Sequence, residues 1–70
     1  MIRQPVSSSN LISVGYDAAS RTLEVEFLSG EIYQYSGVPL GVYQSLMHAP
    51  SKGGYFSSTI RNYFPNRHVW

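Results

Sequence analysis

The chain has 70 residues, 43% hydrophobic and 13% charged, with six tyrosines, no cysteine and a formal net charge of +1. A chain this short buries only about 60% of the surface it exposes when unfolded, so one domain with a thin stability margin is expected. The composition is too apolar and too weakly charged for a disordered chain. The lack of cysteine excludes a disulfide scaffold or thiolate metal site, and the low charge excludes a strongly basic nucleic-acid-binding domain.

The opening stretch MIRQPVSSSN turns polar too early for a secretory signal, and no apolar run nears the roughly 20 residues of a membrane span, so a soluble cytoplasmic protein is expected. Residues 1–10 read as a polar lead-in. LISVGYD (11–17) and TLEVEF (22–27) are β-branched and alternating, with AAS between them to reverse the chain, which predicts a hairpin. Leu23, Val25 and Phe27 share one face of the second strand and Glu24 and Glu26 the other, the pattern of a half-buried antiparallel strand. LSG then leads into EIYQYS (31–36) and completes a three-stranded meander.

The direction of Tyr33 and Tyr35 depends on the length of that turn. A two-residue turn at Ser29 and Gly30 sends both rings to the face of Glu24 and Glu26. A three-residue loop, Leu28 to Gly30, sends them to the face of Leu23, Val25 and Phe27, since a slip of one residue reverses every side chain. We take the second register. It gathers Glu24, Glu26 and Gln34 outside, misplaces only Ile32, and gives Gly30 a left-handed bulge position. The tyrosines are then core residues with polar tips at the rim.

VPLGVYQSLMHA predicts a helix with Pro39 near its start, Val42, Tyr43, Leu46 and Met47 at helical spacing, and Pro50 beyond its end. Ser51 is a natural N-cap for a second helix through KGGYFSSTIRNYF, with Phe56 and Ile60 on one side and Pro65 as the stop. Residues 65–70 read as a tail. The expected architecture is one α+β domain over 1–70, a three-stranded antiparallel meander with two short helices packed on one face.

Together SSN, VGYD, TLEVEF, the Tyr-x-Tyr of EIYQY, VP and VY at the first helix, and SKGGYF followed by IR resemble the KTSC domain family across residues 3–64. That resemblance implies a short bacterial domain found at the C-terminus of some lysyl-tRNA synthetases and also as a stand-alone protein, and the synthetase connection suggests contact with RNA. The family's Tyr-x-Tyr pair falls on Tyr33 and Tyr35, and its Ser-Lys-Gly stretch on Ser51, Lys52 and Gly53. Residues 65–70 lie outside the match.

Two readings of SKGGYF stand side by side. Ser51 can cap the helix while Gly53 and Gly54 permit close packing; alternatively, the unpaired N–H groups of the first turn and Lys52 can meet an anion. The pattern is not a P-loop, which needs a longer glycine loop and a lysine followed by Ser or Thr. All four acidic residues precede position 32, whereas Lys52, Arg61 and Arg67 follow it, so an anionic partner should meet the C-terminal half.

His48 and His68 lie twenty positions apart with no cysteine, which makes a poor metal site, and His68 is expected in a mobile tail. No Gly-x-Ser-x-Gly elbow occurs, Asp17 stands beside a turn, and Glu24 with Glu26 reads as a solvated pair on an exposed strand face, so no enzyme, metal or cofactor is expected. The leading expectation is a non-catalytic module contacting RNA through Ser51, Lys52, Gly53, Gly54, Tyr55 and Arg61, with help from Arg67. Binding should be weak, with a log–log salt slope near −2 for about three phosphates on a single strand. The alternative is a protein-interaction or self-associating module using a sheet edge or Tyr43, Tyr63 and Trp70.

Overall fold

A computed structural model describes residues 1–70. Five strands run in sequence order as an antiparallel meander: β1 (Arg3–Pro5), β2 (Leu11–Asp17), β3 (Thr22–Phe27), β4 (Ile32–Tyr35) and β5 (Asn66–His68). Two helices, α1 (Leu40–His48) and α2 (Lys52–Tyr55), follow β4, and α2 continues as a π-helical turn over Phe56–Ile60. No helix is long and apolar enough to cross a membrane.

The fold is α+β as expected, but the sheet has five strands rather than three. The residues read as a lead-in and a tail supply both edges. Each edge strand has only three residues, RQP and NRH, too few to show an alternating pattern. Pro5 is tolerated at the β1 edge, where a missing N–H breaks no interior ladder. The second helix also ends sooner than expected: the π-helical turn closes with the Arg61 N–H donating to the Phe56 carbonyl, and residues 61–64 form a turn.

The register of β3 against β4 pairs Val25 with Tyr33 and Leu23 with Tyr35, so the tyrosines share the helix-covered face. The turn is the three-residue one. Gly30 lies in the left-handed region at φ 93°, and its N–H donates to the Phe27 carbonyl at 2.8 Å. Ile32 stands opposite Glu26 on the other face, as that register requires.

The core joins Leu11, Val14, Leu23, Val25 and Tyr35 of the sheet to Val38, Leu46, Phe56 and Ile60 from the helical layer. A π-helical turn spreads its hydrogen bonds over five residues, and here both Phe56 and Ile60 are fully buried. Tyr16 stacks on Tyr43 with ring centroids 4.8 Å apart, and its hydroxyl donates to the Val38 carbonyl, tying α1 and the loop before it to β2. Asp17 is spent on its own turn, accepting from the Ala19 N–H and the Ser20 hydroxyl.

The open face corrects the reading of Glu24 and Glu26 as solvated. Arg3, Gly15, Glu24, Gln34 and Arg67 occupy one cross-strand row over all five strands. Arg3 crosses over Gly15 to reach the Glu24 carboxylate. A Cβ at position 15 would stand 2.8 Å from the Ile2 carbonyl oxygen and 3.0 Å from Arg3 Cγ. Gln34 donates to Glu24 at 2.9 Å, Arg67 donates to Gln34 at 3.1 Å, and Ser13 links Arg3 to Glu26. Glu24 is therefore buried. Its burial raises the carboxyl pKa, but hydrogen bonds from Gln34 and Arg3 and the Arg3 charge outweigh that, leaving it below the ordinary 4.5.

Candidate nucleic-acid interface

The SKGGYF segment is built for capping and close packing. The Ser51 hydroxyl accepts from the Gly54 N–H at 3.2 Å, and the Lys52 ammonium turns back to donate to the Ala49 carbonyl at the end of α1, 3.2 Å away. A Cβ on Gly53 would collide with the side-chain oxygen of Asn10, so glycine here lets the helix entrance seat against the start of β2. Gly54 is exposed and serves the cap itself, since a Cβ there would stand 2.9 Å from the Ser51 Oγ that accepts its N–H.

Asn10 connects this entrance to a cleft of about 510 Å³, whose walls are the β3–β4 turn, the inner face of β4 and the end of the π-helical turn. Tyr33, Tyr35, Arg61, Asn62 and Asn66 line it, with Glu31 at the turn. This volume lies within the range of small-molecule sites. The Tyr35 ring packs edge-on against Phe56 and is only 4% exposed, yet its hydroxyl has no hydrogen-bond partner in the protein. No buried polar side-chain atom in the molecule is left unpaired, so this hydroxyl must reach the cleft. Burial raises its pKa above the ordinary 10, Arg61 opposes the rise and Tyr33 adds to it, so the phenol is a donor at neutral pH.

Tyr33 is half-buried and flanked by two rings. Phe27 meets it edge-on at 5.9 Å, and His68 stacks on it at 4.7 Å with the planes 9° apart. His68 is therefore held on β5, opposite Tyr33, and not in a mobile tail. Glu31 and His68 approach to 3.9 Å at the cleft edge. Arg61 forms no ion pair and donates no side-chain hydrogen bond within the protein, while Arg3 and Arg67 are engaged on the open face.

The expected contact residues thus fall into three places. Ser51, Lys52, Gly53 and Gly54 form the helix entrance, with Tyr55 at the end of α2; Arg61 joins Tyr33 and Tyr35 in the cleft; Arg67 is on the opposite face, hydrogen-bonded to Gln34. Lys52 begins α2 and Arg61 follows the π-helical turn, so the two cations stand at opposite ends of this helical segment. Sequence reasoning missed Asn10, Glu31, Asn62 and Asn66. Asn62 and Asn66 on either side of Pro65, and Asn10 just before β2, gave a signal only of loop composition, and the place of Asn66 depends on β5, which has no sequence signature.

The KTSC domain family matches residues 7–64. The chain belongs to that family. It is 44% identical over 61 residues to an uncharacterised protein of Stutzerimonas stutzeri, covering 87% of this chain and 86% of that one. A KTSC domain protein of Yersinia pestis has a crystal structure that superposes with a TM-score of 0.96 at 45% identity, covering 99% of this chain and 97% of its counterpart. A lysine–tRNA ligase of Nostoc sp. is 49% identical over 49 residues, which are 70% of this KTSC chain and 9% of the ligase.

Proposed function

We propose that this KTSC domain is a non-catalytic module that binds single-stranded RNA in the cleft between the β3–β4 turn and the end of the π-helical turn. The observation that carries this reading is an arginine with no internal partner, Arg61, converging with two tyrosyl side chains in one cleft. Unpaired RNA is recognised by guanidinium planes that stack on splayed bases and by hydrogen bonds to base edges and phosphates. Here the tyrosines, whose rings are packed against Phe56, Phe27 and His68, contribute through the Tyr35 hydroxyl. Asn10, Asn62 and Asn66 add amides able to donate or accept. The relatives named lysine–tRNA ligases carry a KTSC-like segment in enzymes that act on an RNA.

Affinity should be weak. With Arg61 and Lys52 as the phosphate contacts, the log–log salt slope for a single strand is about −1.4. Titration of a labelled single-stranded RNA at low and moderate salt, comparing wild type with Arg61→Ala and a Lys52→Glu, Arg61→Glu double variant, tests it. Isotherms that coincide for all three proteins would remove the proposed surface.

A second reading, self-association or protein contact, draws on the open β5 edge and on Tyr63 and Trp70, which are 70% and 79% exposed. Tyr43 no longer belongs to that set, being stacked on Tyr16. Sedimentation across a concentration range separates the two: a monomer at every concentration removes self-association.

A further inference from the structure

The cleft contains one obligate cationic donor, Arg61, and one obligate acceptor, Glu31, which come from different elements and do not pair with each other. The asparagines can adapt to either polarity, so these two groups decide which way round a ligand sits. A phosphate belongs at Arg61 and would be repelled at Glu31, where a ligand must present N–H groups.

The Glu31 carboxylate has capacity to spare. Its Oε1 accepts only a long bond from Ser29, at 3.3 Å, and Oε2 is 3.9 Å from His68 Nε2, beyond hydrogen-bond length. Among the four bases, guanine alone offers two adjacent donors, N1–H and the exocyclic amine, to one carboxylate. Cytosine and adenine place an acceptor beside their amine, and uracil flanks its single N–H with two carbonyl oxygens that a carboxylate repels. We infer that the cleft accepts a single unpaired guanosine nucleotide, its phosphate at Arg61 and the Watson–Crick edge of its base at Glu31. This inference rests on the RNA-binding reading and specifies which base that surface selects.

A bidentate side-chain contact to a base discriminates by roughly 1–3 kcal/mol. Glu31 is about half exposed, so the lower part of that range applies and a preference of about tenfold is expected. The test uses short single-stranded uridine oligomers with one central position varied through U, G, A and C, titrated into wild type and Glu31→Gln. Substitution at this exposed rim position leaves the core untouched, and a dispersed amide spectrum verifies the fold.

The guanine oligomer should bind wild type about tenfold more tightly than the all-uridine one. In Glu31→Gln the ratio should collapse toward one while the uridine oligomer binds no more weakly. Equal binding of all four oligomers by wild type, or a guanine preference that survives Glu31→Gln, overturns this inference alone. If no oligomer binds, it falls together with the RNA reading.

Discussion

Replacing Glu24 with glutamine should destabilise the domain by about 2 kcal/mol although the shape of the side chain hardly changes. Glu24 accepts from Arg3 and from Gln34, and its side chain is 11% exposed against 28% for Arg3. Exposed ion pairs contribute about 0–1 kcal/mol, and breaking a fully buried pair costs about 3–5, so a pair that is largely but not fully covered should fall between. Counting bonds gives a similar figure. A hydrogen bond to a charged partner contributes about 1.5–3 kcal/mol and a neutral one about 1, so two bonds that lose the carboxylate charge lose about 1 each.

With a urea slope of about 1 kcal/mol/M for so small a domain, the unfolding midpoint should fall by about 2 M. A double-mutant cycle with Arg3→Met should return a coupling of about 1–1.5 kcal/mol. The pH dependence supplies an independent check. The folded pKa of Glu24 is lowered, so its contribution is fully present above the ordinary 4.5 and is lost as pH falls through the lower folded value. The gap between wild type and Glu24→Gln should therefore close in acid. A coupling within about 0.5 kcal/mol of zero, or a gap independent of pH, would refute the cross-strand row as a source of stability.

Phe56→Ala removes a fully buried ring that packs against Phe27 and Tyr35. The expected loss, about 3–5 kcal/mol, equals the whole margin of so small a core, and circular dichroism at 25 °C should find the variant unfolded. Gly30→Ala forces a Cβ into φ 93° with open space around it. Strain alone should cost about 1 kcal/mol and lower Tm by roughly 4–8 °C in a thermal melt. Tyr35→Phe deletes a hydroxyl without an internal partner and should leave neutral-pH stability within about 0.5 kcal/mol of wild type, while weakening RNA binding. Because the folded phenol pKa is raised, its contribution is present below pH 10 and lost as pH rises through the folded value, so wild type should fall relative to the variant in alkali, and the variant should lose one tyrosinate absorbance step at high pH.

The central hairpins were legible in the sequence because each carried two agreeing signals, alternation along the strand and turn chemistry between strands. The choice between two registers for Tyr33 rested on Gly30 and on keeping Glu24, Glu26 and Gln34 together, and the same physical economy governs the fold. The edges were illegible for a physical reason. RQP and NRH are held by ladder hydrogen bonds to neighbours distant in sequence and by side chains such as Arg3 that act across strands, and neither leaves a local pattern. The cleft inherited that blindness: Tyr33, Tyr35 and Arg61 were each identified, but their meeting depends on where the π-helical turn ends and on β5 bringing Asn66 beside Tyr35.

The charge asymmetry seen along the chain resolves into two faces of the sheet, not two halves of the sequence. On the open face Arg3 and Arg67 balance Glu24 and Glu26, two charges against two, so the net +1 belongs to the remaining surface. A sheet that binds RNA as a flat platform displays aromatic rings on its open face. Here that face carries a row of ionic and amide groups linked to one another from Arg3 to Arg67, and the tyrosine rings of the sheet point toward the helices. The proposed RNA strand would therefore find no stacking platform across the sheet and would meet the tyrosines only from the cleft mouth, where Arg61 forms no internal pair. A cleft of about 510 Å³ accommodates a nucleotide or two. On the proposed RNA reading the footprint is therefore short and the salt slope shallow, and base selectivity has to come from groups within that one cleft.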